Sequence, residues 1–451
     1  MIHLESHREL FVDDFMLEKL DGANLKMCKP RIEEIPLAGG GYNTVIYESG
    51  LYRLYYKKTL NPKRTYTGNP WERVCYSESK DGVNFTKPDL GIINEKNGGF
   101  CNVILDETAF CHNFSPFIDN RSNVSAKERY KALAGIWHNN FKSIQDDDPT
   151  FPADFEAGLY TFASADGIHW QRTSKKPVIT SVELKAFDSQ NVGFWSESED
   201  CYICYFRTWG PGGVKDGCRS IARTTSVDFI NWSEPVHMHP NEKPEEFYTS
   251  QTAPYFRAPH IYLAFPTRFM RDRGDSTDIL FMSTRGGNSF DRTFRDAIVR
   301  PGLDKTRWGN RSNYATLNLV PLDKKRMCFY MFTNRGVASQ MVVFRTDGVS
   351  SLSAGWKGGT VLTKPFTFKG GKLELNYSTS VAGAVRCEML AEDGSTLDGF
   401  SMNDCDFLVG DEISAYVSWR RGDLSTISGS PVRLKFELLE ADVFSFRFVD
   451  I

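Results

Sequence analysis

Residues 164–170 read Ser-Ala-Asp-Gly-Ile-His-Trp and follow the apolar run Leu-Tyr-Thr-Phe at 159–162. An Asp-Gly pair between such segments predicts a tight turn, because glycine adopts the positive φ that the turn needs. Related stretches stand at 79–85 and 226–232, with a degraded copy at 284–290 and a partial copy at 346–349. The aligned positions 81, 166, 228, 286 and 347 are separated by 85, 62, 58 and 61 residues. One hairpin turn in roughly every 60 residues indicates radial repetition of small sheets.

Each repeat contains about four short segments with the alternation typical of β-strands, and long helical periodicity is missing. The acidic, proline-containing stretch 145–154 lengthens the second repeat, and we interpret it as a surface insertion. After Gly355 the repeat stops, and strand-like segments separated by turn signals predict a β-sandwich of roughly 95 residues. The predicted fold class is therefore all-β. A five-bladed β-propeller at 1–354 is expected to precede a C-terminal β-sandwich at 355–451.

The composition excludes several classes of protein. The 451 residues carry a formal net charge of -3, and no basic stripe exists that could neutralise phosphates, so we expect no nucleic-acid partner. No window has the apolar length of a membrane span, and the start lacks the basic and apolar regions of a signal peptide. We therefore expect no membrane association and a cytoplasmic location, or a secreted or periplasmic one if a signal peptide was removed.

The aromatic share of 13% is the informative deviation, because flat rings suit both β-sheets and the apolar faces of sugars. The ten cysteines are scattered without a CxxC pair, which favours reduced, buried thiols. The eight histidines form no metal signature, and the glycine-rich stretches have no following helix of the kind that binds phosphate. We expect neither a metal nor a cofactor. The sequence leaves open a structural cation in the channel.

The catalytic prediction rests on the strands that would line a propeller channel. The first strand of each blade lies there, and packing between blades does not require polar side chains at that place. Cleavage of a glycosidic bond needs two carboxyl groups on opposite sides of the anomeric carbon. Asp188 is predicted as base or nucleophile, and Glu246, or its neighbour Glu245, as the proton donor. Asp14 and Asp119 are alternative second carboxylates.

The predicted substrate-binding residues lie near the opening of a blade or on an adjacent strand. They are His112, Asn113, Asp119, Gln190, Asn191, Arg207, Tyr248, Arg257, His260, Arg268, Trp308 and Arg311. Several arginines around a channel favour a carboxylated, sulfated or hydroxyl-rich ligand. Structural roles stay open for the same residues: turn capping for Asp188, ion pairs between blades for the arginines, and a solvated surface pair for Glu245 and Glu246.

Further motifs resemble a family of bacterial proteins described as glycoside-hydrolase-like, close in architecture to glycoside hydrolase families 32 and 43. The matching stretches are Glu-Leu-Phe-Val-Asp-Asp at 9–14, Ser-Lys-Asp-Gly at 79–82, Phe-Asp-Ser-Gln-Asn at 187–191, Arg-Ala-Pro-His at 257–260, Arg-Pro-Gly at 300–302, Thr-Lys-Pro at 363–365 and Pro-Val-Arg-Leu at 431–434. The resemblance runs nearly end to end and implies a five-bladed propeller with a C-terminal β-sandwich. The family 32 motifs Asn-Asp-Pro-Asn-Gly, Arg-Asp-Pro and Glu-Cys are absent.

The sequence thus predicts an exo-acting glycoside hydrolase that cleaves a terminal sugar from an oligosaccharide or polysaccharide in the channel. Two alternatives stay open: a carbohydrate-binding propeller without catalysis, and a phosphorylase or lyase on the same scaffold. The expected partner is a carbohydrate substrate. Whether the chain forms a homo-oligomer is not decided by the sequence.

Overall fold

The computed structural model describes residues 1–37, 39–59, 72–93, 101–137, 144, 151, 154–183, 185–333 and 338–450. Most of the predicted insertion at 145–154 lies outside these residues. The chain divides into two compact units. Unit 1 comprises Met1–Pro30, Asp323–Met327 and Phe344–Ile451, and unit 2 comprises Arg31–Leu322 and Cys328–Val343.

The chain opens with four strands that belong to unit 1. They are β1 (Ile2–Glu5), β2 (Glu9–Leu10), β3 (Leu17–Asp21) and β4 (Ala23–Met27). Each of the four pairs with a strand from the C-terminal part of the chain. The sequence had placed residues 1–30 with the propeller repeats, so the contacts divide the chain differently from the predicted boundary near residue 355.

Unit 2 consists of short antiparallel strands in chain order. They are β5 (Arg31–Ile35), β6 (Gly41–Glu48), β7 (Leu51–Thr59), β8 (Glu72–Ser79), β9 (Val103–Leu105), β10 (Ser115–Ile118), β11 (Tyr130–Ile136), β12 (Gly158–Ser164), β13 (Gln171–Arg172), β14 (Val192–Ser196), β15 (Cys201–Trp209), β16 (Arg219–Ser226), β17 (Val236–His237), β18 (Glu246–Thr249), β19 (Thr252–Tyr255), β20 (Ala258–Ala264), β21 (Thr267–Met270), β22 (Ser276–Ile279), β23 (Met282–Thr284), β24 (Tyr314–Ala315), β25 (Val320–Pro321), β26 (Arg326–Thr333) and β27 (Ala338–Arg345). The described helices are single turns: α1 (Gly213–Asp216) and the 3₁₀ segments Ala126–Glu128, Arg271–Arg273, Lys305–Arg307 and Leu424–Thr426.

These strands form successive small sheets. The orders β6-β7-β8-β9, β10-β11-β12-β13 and β14-β15-β16-β17 are four-stranded. The next repeat is split into β18-β21-β22 and β19-β20-β23, and the last sheet is β24-β26-β27-β5 with β25 beside β26. The first strands follow one another around a ring, because β6 contacts β10, β10 contacts β14, β14 contacts β19, and β24 contacts β6. Gln251, directly before β19, donates to the Ala315 carbonyl of β24 and so links the remaining pair. The all-β propeller fold is therefore confirmed, whereas the number of blades stays a prediction.

The ring is closed by hydrogen bonds between distant parts of the chain. Strand β5 pairs antiparallel with β27, from Ile35 opposite Ser339 to Arg31 opposite Val343. The beginning of unit 2 thus supplies the outer strand of its last sheet. This pairing leaves no free outer edge on β27, and a free edge would expose unpaired backbone groups.

The recurring Asp turns have one hydrogen-bond pattern. The Asp166 carboxylate accepts from the backbone N–H groups of Ile168 and His169, each at 2.8 Å, and Ser164 Oγ accepts from Gly167 at 2.9 Å. The same bonds form around Asp81 and Asp228. Because these carboxylates accept from their own backbone, the turns stabilise the connection between the third and fourth strands of each sheet.

Unit 1 contains six further strands: β28 (Ser350–Ala354), β29 (Gly359–Thr363), β30 (Phe366–Phe368), β31 (Lys372–Ala391), β32 (Asp411–Tyr416) and β33 (Val432–Val449). Strands β31 and β33 pair along most of their length, with register shifts in β31 after Asn376 and after Thr379. Phe11, Phe436 and Phe446 pack together in the core, so the N-terminal segment and the C-terminal strands share one apolar interior. A long sheet with such breaks can fold over its own apolar face, as in a β-sandwich.

Candidate functional site

Charged and aromatic side chains converge in unit 2 where the first strands of the repeats begin. Asp188, just before β14, keeps 19% of its side-chain surface exposed and accepts an ion pair from Arg207 Nη2 at 2.8 Å. Arg207 is almost fully buried near the end of β15 and also donates to the Lys185 carbonyl. Burial would lower the pKa of Arg207, but Asp188, Tyr248 and Tyr42 raise it above its ordinary value. Arg207 therefore fixes a permanent positive charge beside an accessible carboxylate.

A second group holds Asp188 from the neighbouring repeat. His112 Nε2 lies 3.7 Å from Asp188 Oδ1, and His112 Nδ1 lies 3.0 Å from both carboxylate oxygens of Glu72. Lys57 Nζ donates to Glu72 at 3.0 Å. Burial alone would raise the pKa of Glu72, but the charges and hydrogen bonds of His112 and Lys57 lower it to about 2. An ionised Glu72 fixes Nδ1–H as a donor and so orients the imidazole toward Asp188.

Three tyrosines form the walls beside these charges. Tyr42 packs edge-on against His112 with ring centroids 5.3 Å apart, and Tyr248 lies 5.5 Å from Tyr314. Burial, followed by Tyr248, Asp188 and Tyr314, raises the pKa of Tyr42 well above its ordinary value, so its phenol stays neutral. The hydroxyls of Tyr42 and Tyr248 form no hydrogen bond with the described residues. Partly exposed rings with unused hydroxyls can stack on a sugar and hydrogen bond its hydroxyl groups.

Glu246 lies at the same end of the ring, at the start of β18. Its carboxylate pairs with Arg219 at 2.7 Å and with Arg271 at 2.9 Å. The Arg219 guanidinium in turn lies over the ring of Tyr248 at 5.2 Å. Two guanidinium groups therefore face this one carboxylate.

The neighbouring Glu245 belongs to a separate set of ion pairs. It binds Arg292 at 2.7 Å and lies 3.7 Å from Arg268, which itself pairs with Asp278 at 2.6 Å. Burial would raise the pKa of Glu245, but the hydrogen bond from Arg292 and further contacts lower it. Arg268 is thus saturated by carboxylates of its own repeat.

The predicted amide ligands brace neighbouring first strands. Asn113 Nδ2 donates to the Phe187 carbonyl at 2.9 Å, and Asn191 Nδ2 donates to the same carbonyl at 3.2 Å. Gln190 Nε2 donates to Thr44 Oγ1 at 2.7 Å, and Gln251 Nε2 donates to Gln190 Oε1 at 2.9 Å. All of these side chains are buried. They form a polar layer across the ring, below the level of Asp188.

Three of the predicted binding residues lie at the opposite end of the first strands. Asp119 follows β10, whereas His112 precedes it, and the buried Asp119 carboxylate is held by Arg121 at 3.0 Å and by the Tyr202 hydroxyl. Arg257 and His260 belong to the β19–β20 hairpin, which closes between Tyr255 and Ala258. The structure therefore does not bring these three residues to Asp188.

The remaining predicted residues differ in their surroundings. Asp14 is exposed and belongs to unit 1, where its carbonyl accepts from Lys364. Trp308 is 59% exposed, and its indole N–H donates to the Gly302 carbonyl at 2.9 Å. Arg311 is exposed, adopts a φ of 66°, and forms no ion pair with the described residues.

Left-handed backbone occurs at several positions where the first strands begin. The non-glycine residues with positive φ there are Tyr42, Lys185, Phe187, Gln251, Arg311 and Asn313. Each such residue costs of order 1–3 kcal/mol, which the surrounding structure must offset, and such strain collects at functional sites.

Several residues of this cluster were missed from the sequence: Tyr42, Lys57, Glu72, Arg219, Arg271 and Tyr314. Tyr42, Tyr248 and Tyr314 lie within the first three residues of β6, β18 and β24. Aligning the repeats by their first strands would therefore have found Tyr42 and Tyr314. Lys57 and Glu72 flank residues 60–71, where no repeat signal exists. No group of three or more His, Cys, Asp or Glu within the described ranges could hold a metal ion. No helix there has the length and apolar character to cross a membrane.

No family model and no curated protein matches the chain. Solved structures similar to it include a family 43 arabinoxylan arabinofuranohydrolase from Bacillus subtilis, with 12% identity over 91% of this chain and 96% of that chain and a TM-score of 0.42. A family 32 β-fructofuranosidase from Bombyx mori has 9% identity over 93% and 94%, with a TM-score of 0.41. A β-1,2-mannobiose phosphorylase from Listeria innocua has 10% identity over 70% and 92%, with a TM-score of 0.45. Families 32 and 43, whose architecture the sequence resembles, are thus both represented, and similarity at this level does not extend to activity.

Proposed function

We propose that this protein is an exo-acting glycoside hydrolase whose reaction centre is Asp188. The observation that carries the proposal is the setting of that carboxylate: partly exposed, paired with the buried Arg207, and 3.7 Å from His112. Tyr42 and Tyr248 supply aromatic surface and unused hydroxyls at the same place, which suits one terminal sugar ring.

Asp188 is assigned as base or nucleophile. The Arg207 guanidinium favours its charged form, and a charged carboxylate can take a proton from water or attack the anomeric carbon. His112 lies too close to Asp188 to stand on the opposite side of a sugar, so it acts as a positioning residue. Glu72 fixes the tautomer that directs His112 Nε2 to Asp188.

Glu246 is assigned as the proton donor. Both of its oxygens accept from arginines in the structure, so donation requires that one arginine turns away when substrate enters. Arg271 is the partner able to do this, because its side chain is 46% exposed, whereas that of Arg219 is 19% exposed. When Arg271 turns away, the Glu246 carboxylate keeps Arg219 as its ion-pair partner, and its Oε1 no longer pairs with an arginine.

The test is hydrolysis of aryl glycosides and natural oligosaccharides by the wild type, Asp188→Asn and Glu246→Gln. Asp188→Asn is expected to lower kcat/KM by about a hundredfold to ten-thousandfold. Glu246→Gln is expected to lower it strongly for poor leaving groups and little for 2,4-dinitrophenolate, which needs no proton. Asp228→Asn, in an exposed turn of the same sheet as Asp188, is the matched control and should retain full turnover. Near-normal turnover in a folded Asp188→Asn variant contradicts the proposal, and internal fragments as first products contradict exo action.

A further inference from the structure

The arginines around Tyr248 and Glu246 outnumber the carboxylates that contact them. Glu246 is shared by Arg219 and Arg271, so one carboxylate faces two guanidinium groups. Asp188 is matched by Arg207, and Glu72 by Lys57. The Glu246 side of the site therefore carries a surplus of positive charge.

Arg311 adds a further positive charge to the same side. Its charge acts on Tyr314. Burial and Tyr248 raise the pKa of Tyr314, whereas the positive charges of Arg219, Arg311 and Arg207 oppose that rise. Arg311 is exposed, has no ion-pair partner among the described residues, and holds a left-handed backbone that costs of order 1–3 kcal/mol. An unpaired, strained arginine beside an aromatic wall is placed to receive an anion.

Arg271 and Arg311 are carried by adjoining segments. Arg271 follows β21 in the hairpin that leads to β22. Thr277 in β22 donates its hydroxyl to the Ser312 and Gly309 carbonyls, on both sides of Arg311. Arg271 and Arg311 are thus carried by neighbouring stretches of backbone.

From this geometry we infer that the substrate is an acidic sugar, a uronic acid whose carboxylate is bound by Arg271 and Arg311. The inference rests on the proposed function, which makes this site the place where a sugar is bound and cleaved, and it adds the class of sugar. It also supplies the event that the proton donor needs. A substrate carboxylate competes with Glu246 for Arg271, and once Arg271 pairs with the substrate, Glu246 keeps only Arg219 as an ion-pair partner.

The experiment measures binding of glucuronate and galacturonate against glucose and galactose by titration calorimetry, with the wild type, Arg271→Gln, Arg311→Gln and Arg273→Gln. At least one uronate is expected to bind tenfold or more tighter than its neutral parent, and its affinity is expected to fall with added salt. Arg271→Gln and Arg311→Gln should each remove most of the preference. Arg273→Gln changes an exposed arginine of the same hairpin that has no ion pair among the described residues, and it should leave the preference intact.

Equal affinity for uronates and neutral sugars overturns the inference, as does a preference that survives both Arg271→Gln and Arg311→Gln. Tighter binding of inorganic phosphate than of either uronate, with turnover that requires phosphate, also overturns it and makes phosphate the anion. Turnover of the glycosides of these uronates and neutral sugars distinguishes a failure of the substrate class from a failure of the proposed function. Hydrolysis of neutral glycosides alone would refute the substrate class and leave the proposed function standing. A uronate preference without any hydrolysis would refute the proposed function and leave the binding inference standing.

Discussion

The two ends of the first strands in unit 2 use polar residues in opposite ways. Where these strands begin, Asp188, His112 and Tyr248 present partly exposed groups to one another. Where they finish, a cavity of about 360 Å³ is lined mainly by apolar side chains, among them Phe117, Phe194 and Tyr255. The carboxylate of Asp119, near that second end, is wholly buried and bound. One end therefore presents accessible charged groups, whereas the other buries its carboxylate and lines its cavity with apolar side chains, although the same strands supply both.

A polar layer separates the two ends. Gln190 bridges Thr44 and Gln251, and Gln251 also donates to the Ala315 carbonyl at 2.7 Å. These bonds join first strands of different repeats across the middle of the ring. The layer explains why polar residues continue along the first strands beyond the Asp188 end: they hydrogen bond to one another.

The largest effect expected from this comparison concerns the buried carboxylate. Asp119→Asn should lower the free energy of unfolding by about 3–5 kcal/mol, because Arg121 and the nearly buried Lys131 lose their shared counter-charge. Turnover per folded molecule should stay unchanged, since Asp119 lies at the far end of β10 from His112. Denaturant unfolding measures the free energy of unfolding, and the rate divided by the concentration of folded protein measures turnover. Loss of turnover in a folded Asp119→Asn variant would place this residue in the reaction centre and break the distinction between the ends.

A smaller effect is expected for the two ends of β8, which should differ in how a Glu→Gln substitution changes the free energy of unfolding as the pH falls. Glu72 has a pKa lowered to about 2, so its stabilising effect is present above the ordinary carboxylate pKa and is lost as the pH falls through about 2. The wild type should exceed Glu72→Gln by up to about 3 kcal/mol in free energy of unfolding at pH 6, and the excess should shrink between pH values of about 4 and 2.

Glu78, near the other end of β8, supplies the control for that experiment. It accepts from the Tyr76 hydroxyl at 2.9 Å and forms no ion pair with the described residues. Glu78→Gln should change the free energy of unfolding little, because it removes no ion pair with the described residues. Parallel pH curves for both variants would show that the charges of Lys57 and His112 do not stabilise Glu72.

The sequence predicted those parts of the molecule that repeat. The Asp turns at 81, 166 and 228 marked the sheets, and equivalent places in the repeats marked His112 and Asp188, which lie 3.7 Å apart. The pairing of β1–β4 with C-terminal strands could not be predicted, because strand pairing across the whole chain leaves no local signal. The hydrogen-bond partners of the channel amides could not be predicted either. An asparagine that binds a backbone carbonyl, as Asn113 does, looks the same in sequence as one that binds a sugar.

The smallest expected effect comes from replacing threonine by valine at two positions, one in the polar layer and one that lines the cavity. Thr44 Oγ1 accepts from Gln190, so Thr44→Val leaves a buried amide donor unsatisfied and should lower the free energy of unfolding by about 1–3 kcal/mol. Thr252 lines the cavity, and its buried hydroxyl has no hydrogen-bond partner among the residues that the structure describes. Thr252→Val should therefore be neutral or stabilising by up to about 1 kcal/mol. Both changes keep the β-branched shape, and equilibrium unfolding compares them directly. A clear loss of stability in Thr252→Val would mean that its hydroxyl is hydrogen bonded in solution, and the second end would then be less apolar than its lining indicates.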